Sequence, residues 1–180
     1  MILVTGGSSS GKSAYAEALL NEIEGAEIRY YIATMQVWDE ESRIRVEKHQ
    51  KMRAGKDFLT IEQPVDLEQA LGAMQQSGRT CALLECMSNL TANEMFRETG
   101  IQPADAVTKK ILRQTAALDE AVDPLIVVTN NVFEDGIVYE PETMEYLRAL
   151  GEINRQLAER AERVIEVVAG IPVMIKSAHS

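Results

Sequence analysis

Ile2-Leu3-Val4-Thr5-Gly6-Gly7-Ser8-Ser9-Ser10-Gly11-Lys12-Ser13 opens the chain, and its reading decides the fold. Residues 2–5 are apolar and rich in β-branched side chains, as a short buried strand requires. Gly6 to Ser13 then match G-x-x-x-x-G-K-[ST] in full. A helix is expected from about Lys12, because Tyr15, Leu19 and Ile23 recur every four residues with Ala16 and Leu20 alongside, up to a stop near Gly25. Strand, glycine-rich turn and helix together make a phosphate-binding loop. The glycines let successive backbone N–H groups face the phosphates, and the helix N-terminus adds a partial positive charge. Gly7, Ser8, Ser9, Ser10, Gly11, Lys12 and Ser13 are therefore candidate phosphate ligands. Lys12 is expected to reach the β/γ-phosphates, and the Ser13 hydroxyl to ligate Mg²⁺.

Outward from this loop, apolar stretches alternate with helical periodicity. Strands are expected at 28–33 and near 80–86, 125–129 and 164–168, and helices near 39–54, 66–76, 104–121 and 142–162. Ile171 to Ile175, after Gly170, is expected to return as a closing hairpin. Alternation of this kind implies right-handed crossovers and a mostly parallel sheet flanked by helices. The expected fold class is α/β, a P-loop NTPase in one catalytic domain over 1–180. Ligands of such sheets bind beyond the carboxyl ends of the strands, and the polar segment 130–141 is a candidate loop there.

Composition restricts the function. The 180 residues carry 18 Lys+Arg against 28 Asp+Glu, a net charge of −10, which excludes a protein built to grip nucleic acid through a basic surface. No run approaches the ~18 apolar residues of a membrane span, and the N-terminus lacks a signal peptide's positive region. Cys81 and Cys86, five apart in an expected strand, stand about 16 Å apart, too far for a disulfide. A cytoplasmic protein is expected. The guanine motif of regulatory GTPases, Asn-Lys-x-Asp, is missing; Thr129-Asn130-Asn131 does not match it.

His49 lies in Arg43-Ile-Arg-Val-Glu-Lys-His-Gln-Lys-Met-Arg53. On a helix Arg45, His49 and Arg53, at i, i+4 and i+8, share one face over about 12 Å. The flanking cations favour a neutral imidazole, which could attack an α-phosphate whose oxygens the arginines hold. A solvated helix face that happens to carry a histidine remains the alternative at this point. His179, near the C-terminus, reads as part of a solvated tail.

The order of these features resembles a known family. ILVTGGSSSGKSAYAEALL, YYIATMQVWDEESRIRVEKHQKMR, LLECMSNLTANEMF, the strand VVTN at 127–130 and INRQLAERAERVIEVVAGIPVMIK are similar to the adenosylcobinamide kinase / adenosylcobinamide-phosphate guanylyltransferase family, the CobU family. The resemblance implies a RecA-like P-loop fold and a homotrimer. It implies phosphorylation of adenosylcobinamide, then transfer of GMP from GTP to the resulting phosphate through a guanylylated histidine at position 49. ATP is an alternative donor in the kinase step. It further implies GTP phosphate contacts from Gly7 to Ala14, and nucleotide contacts from Ala33, Thr34 and Met35, from Gln50, Lys51, Met52 and Arg53, and from Glu62 and Glu85. A carboxylate among these would select guanine through N1–H and the exocyclic amine. Glu85, ending an apolar strand, has a competing role near Mg²⁺ or as base, and Glu62 a competing structural one.

The departures lie later. Where the family carries Glu-Val-Gly after its Thr-Asn, this chain has Asn131-Val-Phe-Glu-Asp-Gly136, and Glu134 or Asp135 is the candidate replacement acid. The family's Pro-x-x-x-x-x-Arg-x-Phe-Arg-Asp is reduced to Leu147-Arg-Ala-Leu-Gly-Glu-Ile-Asn154. Two other readings compete with the bifunctional enzyme: a P-loop small-molecule kinase without the guanylyl step, and a GTP-binding regulator.

Overall fold

The structure is a computed structural model describing residues 1–36, 43–44, 57–75, 78–131 and 139–177. Its elements are β1 (Ile2–Thr5), α1 (Lys12–Asn21), β2 (Ile28–Ala33) and β3 (Leu59–Glu62), then a 3-10 turn at Leu67–Gln69 passing into α2 (Ala70–Ala73). There follow β4 (Thr80–Glu85), α3 (Met87–Met95), the short strands β5 (Phe96–Arg97) and β6 (Gly100–Ile101), and α4 (Ala104–Ala121). The chain ends with β7 (Leu125–Val128), α5 (Pro141–Arg160), β8 (Arg163–Val168) and β9 (Ile171–Lys176).

Among the described residues the main sheet has seven strands, in the order β3-β2-β4-β7-β1-β8-β9. Every neighbouring pair is parallel except β8 and β9, which form the expected antiparallel hairpin. β4, β7 and β1 lie at its centre and read as continuous apolar runs because helices cover both faces. On one face Ile2, Val4, Tyr31, Leu83, Ile126 and Val128 pack against Ala16, Leu19 and Leu20 of α1. On the other, Leu3, Tyr30, Ile32, Leu84 and Val127 meet Leu90 of α3, Ile111 and Leu118 of α4, and Ile153 and Leu157 of α5. Leu84 is fully buried there, so Leu84→Ala should cost about 2–5 kcal/mol.

The two long helices match their sequence signals. α4 turns Val107, Ile111, Leu112 and Leu118 inward at helical spacing, and α5 starts with Pro141 in its first turn, where a missing N–H costs nothing. The helix expected near 66–76 is a 3-10 turn and one turn of α-helix. β3 and α3 were not expected. β3 is a mostly exposed edge strand with little apolar periodicity, and α3 contains Asn89, Thr91 and Asn93, all weak helix formers. No helix among the described residues is long and apolar enough to cross a membrane.

Candidate active site

Beyond the carboxyl end of β1 the chain forms the expected loop. Tyr15 N–H donates to the Gly11 carbonyl at 3.0 Å and begins the hydrogen-bond ladder of α1. Gly11 has φ +92°, a left-handed conformation that glycine adopts without strain. Gly6 is required by space: a Cβ there would lie 2.6 Å from the Val167 carbonyl oxygen. The β8–β9 turn braces the loop from outside, since Gly170 N–H donates to the Ser10 carbonyl at 2.8 Å. From the other side Asn131 N–H donates to the Gly6 carbonyl at 3.2 Å. Gly7, Ser8, Ser9 and Ala14 are exposed, while Lys12 is buried with its ammonium donating to the Gly7 carbonyl at 3.0 Å. Ser10 Oγ is buried without a hydrogen-bond partner among the described residues, as expected of a donor meant for a ligand.

The acids stand at the ends of β4 and β3, two and four strands away from β1. Sheet register sets Ala33 of β2 opposite Glu62 of β3 on one side and Glu85 of β4 on the other. Strand spacing then separates the two glutamate Cα atoms by about 10 Å. Ser13 Oγ donates to Glu85 Oε1 at 2.7 Å, so a hydroxyl and a carboxylate meet directly below the loop. Two such oxygens form a hard donor set that fits Mg²⁺. Glu62 is exposed on the outer side of β2, and Met35 is half-buried. Thr34 is fully buried and structural in its bonding: its Oγ1 donates to the Cys86 carbonyl and accepts from Cys86 N–H, each at 2.8 Å.

The structure thus brings together Gly7 to Ala14, Ala33, Thr34, Met35 and Glu85, with Glu62 flanking them. His49, Arg45, Gln50, Lys51, Met52 and Arg53, the helix expected over most of 39–54, the loop acids Glu134 and Asp135, and His179 lie outside the described residues.

A sequence profile of the CobU family, described as cobinamide kinase / cobinamide phosphate guanyltransferase, matches residues 2–175. The chain belongs to the CobU family. It is 35% identical over 186 residues to the bifunctional adenosylcobalamin biosynthesis protein CobU of Escherichia coli K12, covering 98% of this chain and 99% of that protein. The same-named protein of Salmonella typhimurium LT2 is 34% identical with the same coverage. Among solved structures, a protein from Pyrococcus horikoshii OT3 aligns at a TM-score of 0.50 and 13% identity, over 98% of this chain and 86% of that one, a likeness of fold alone. The P-loop NTPase architecture and nucleotide binding expected from the opening residues agree with CobU membership.

Two polar groupings of this CobU chain escaped sequence reasoning. Ser88, 5% exposed, receives the Asn130 side-chain amide at 2.7 Å and contacts Cys86 Sγ at 3.0 Å. Burial, and then the neighbouring Glu85, push the Cys86 thiol up. Tyr146 reaches the Ser88 carbonyl at 3.3 Å, and burial pushes its hydroxyl up to about 12. Farther out, Glu94 of α3 is 1% exposed and is held by Arg97, by Lys110 Nζ at 2.8 Å and by the Asp66 N–H at 2.7 Å. Arg97 also bridges both Asp66 oxygens, at 3.1 and 3.2 Å, and Lys110 meets Asp66. No local pattern announces either grouping, because partners such as Ser88 and Asn130 are 42 residues apart in the chain.

Proposed function

We propose that this chain is a cytoplasmic bifunctional enzyme, one catalytic domain over 1–180. It phosphorylates adenosylcobinamide with GTP and then transfers GMP to adenosylcobinamide phosphate, yielding adenosylcobinamide-GDP. The observation that carries the reading is the CobU profile over 2–175, joined to a complete phosphate loop whose Ser13 meets Glu85.

Each residue has a physical part. The N–H groups of Gly7 to Ser13 and the positive end of α1 bind the phosphates. Lys12 exchanges its bond to the Gly7 carbonyl for the β/γ-phosphate oxygens and offsets their charge. Ser13 and Glu85 would hold Mg²⁺, which supplies charge neutralisation when bound. Glu62 and Glu85, flanking Ala33, are the carboxylates for the guanine amine and N1–H, which favours GTP over ATP. Met35 and Gln50 to Arg53 complete the nucleotide contacts. In the second step a His49 ring nitrogen bonds to the α-phosphorus as the α–β bridging bond breaks and pyrophosphate leaves. An oxygen of adenosylcobinamide phosphate then displaces the imidazole.

Family resemblance also implies a homotrimer. β9 supports self-association, since Ile171, Val173, Met174 and Ile175 are exposed on an edge strand with no partner on its outer side among the described residues.

Incubation with adenosylcobinamide and GTP tests the function. Adenosylcobinamide phosphate should form first and adenosylcobinamide-GDP second. GTP consumption that ignores the corrinoid would contradict both activities and favour a GTP-binding regulator. Accumulation of the phosphate alone would leave only a kinase.

A further inference from the structure

β7 lies between β1, which delivers the phosphate loop, and β4, which delivers Glu85. The residue two positions beyond its end, Asn130, therefore follows a strand that lies between the one leading into the phosphate loop and the one ending at Glu85. Its neighbours tie it to the loop: Thr129 N–H donates to the Val4 carbonyl at 2.9 Å, and Asn131 N–H donates to the Gly6 carbonyl. Its own groups are fixed from two directions. Asn154 of α5 donates to the Asn130 carbonyl at 3.3 Å and is itself oriented by Thr129 Oγ1 at 2.7 Å. The Asn130 side-chain nitrogen donates to Ser88 Oγ at 2.7 Å, and Ser88 is locked against Cys86. Thr129 and Ser88 are buried, whereas Asn130 is half-buried, at the boundary between core and site.

With the amide nitrogen committed to Ser88, no described residue donates to the side-chain oxygen Oδ1, which is left as an acceptor. We propose that Asn130 Oδ1 accepts the hydrogen bond of the alcohol that receives the γ-phosphoryl group, and that Ser88 is the positioning residue that sets the amide. This rests on the reading of the chain as a kinase. A neutral acceptor suits the place, because a second carboxylate beside Glu85 would repel the incoming phosphates. It suits the chemistry as well, since a loose phosphoryl-transfer transition state needs an aligned nucleophile more than a strong base. In the step, the alcohol oxygen bonds to the γ-phosphorus, the bond from that phosphorus to the β–γ bridging oxygen breaks, GDP leaves, and the hydroxyl proton passes to water.

The two activities give the test an internal control. Wild-type protein is first assayed for label transfer from γ-labelled GTP to adenosylcobinamide, and for label retained on the chain from α-labelled GTP. If wild type retains α-label but phosphorylates no alcohol, the kinase reading fails and this inference with it. Given transfer by wild type, Asn130→Ala should lower kcat for phosphorylation about 100-fold, the usual loss of one aligned hydrogen bond in a closed site. Its KM for GTP and its retained α-label should each change by no more than about threefold. Asn130→Asp should recover kcat about tenfold over the alanine variant, because a carboxylate still accepts from the alcohol, while its charge raises the KM for GTP. Ser88→Ala should show the same selective loss at smaller size. Wild-type phosphorylation by Asn130→Ala, or a parallel fall of both activities, would overturn the proposal. If that variant does not fold, Ser88→Ala decides alone by the same ratio.

Discussion

Two groups of polar side chains stand near the carboxyl ends of the strands, and they are bonded in opposite ways. In the phosphate loop the charges face backbone: the Lys12 ammonium rests on the Gly7 carbonyl, and the braces from Gly170 and Asn131 also end on carbonyls. Around Glu94 the charges face one another: two carboxylates and two cations satisfy each other, with Asp66 N–H adding a further bond. A charge resting on a neutral partner gains by exchanging it for a phosphate, whereas a paired buried charge loses by any exchange. The first arrangement suits ligand binding, and the second fastens α3 and α4 to the segment that follows β3.

That contrast can be broken by substitution. Lys12→Ala should cost about 1,000-fold or more in phosphoryl transfer, with little change in melting temperature, because the loop backbone is braced by other bonds. Glu94→Ala should do the reverse. Removing one member of a buried, hydrogen-bonded ion cluster should destabilise the fold by about 3–5 kcal/mol in denaturant titrations, while kcat of the folded fraction stays near wild type. Equal effects of the two variants on both measurements would dissolve the distinction. Glu85→Gln, which keeps the shape but removes the charge beside Ser13, should lower the rate about 100-fold and weaken the response to added Mg²⁺.

Smaller effects sharpen the same comparison. The guanidinium of Arg97 and then the Lys110 ammonium hold the Asp66 carboxyl below its ordinary value of 3.8. A carboxyl whose pKa is lower folded than unfolded stabilises the protein above the unfolded value, and that stability is lost as pH falls through the folded value. Asp66→Asn should therefore be less stable than wild type at neutral pH, and the gap should close below about pH 4, read from denaturant midpoints against pH. The least effect concerns the thiols. Cys81 and Cys86 are buried and their pKa values are raised by burial, so neither should react with a thiol reagent at pH 8 until the protein unfolds.

Much of the frame was legible in the residues. The strand at 28–33 and the helix at 104–121 occur where periodicity put them, because tertiary packing there follows the local pattern. The phosphate loop was legible because its chemistry needs consecutive residues. β3 was hidden because an exposed edge strand carries little apolar signal, and α3 because its helix is held by burial of Met87, Leu90 and Met95 rather than by propensity. The pairing of Glu62 and Glu85 across Ala33, and of Ser88 with Asn130, depends on strand order, which no local stretch encodes.

The account's central claim is that one nucleotide site serves two transfers, the second through His49. Its most direct test is to incubate the protein with α-labelled GTP, denature it and count label on the chain. The account predicts acid-labile label in wild type, its absence in His49→Ala, and its release by adenosylcobinamide phosphate. Wild-type protein without label, or His49→Ala with undiminished label, would contradict it.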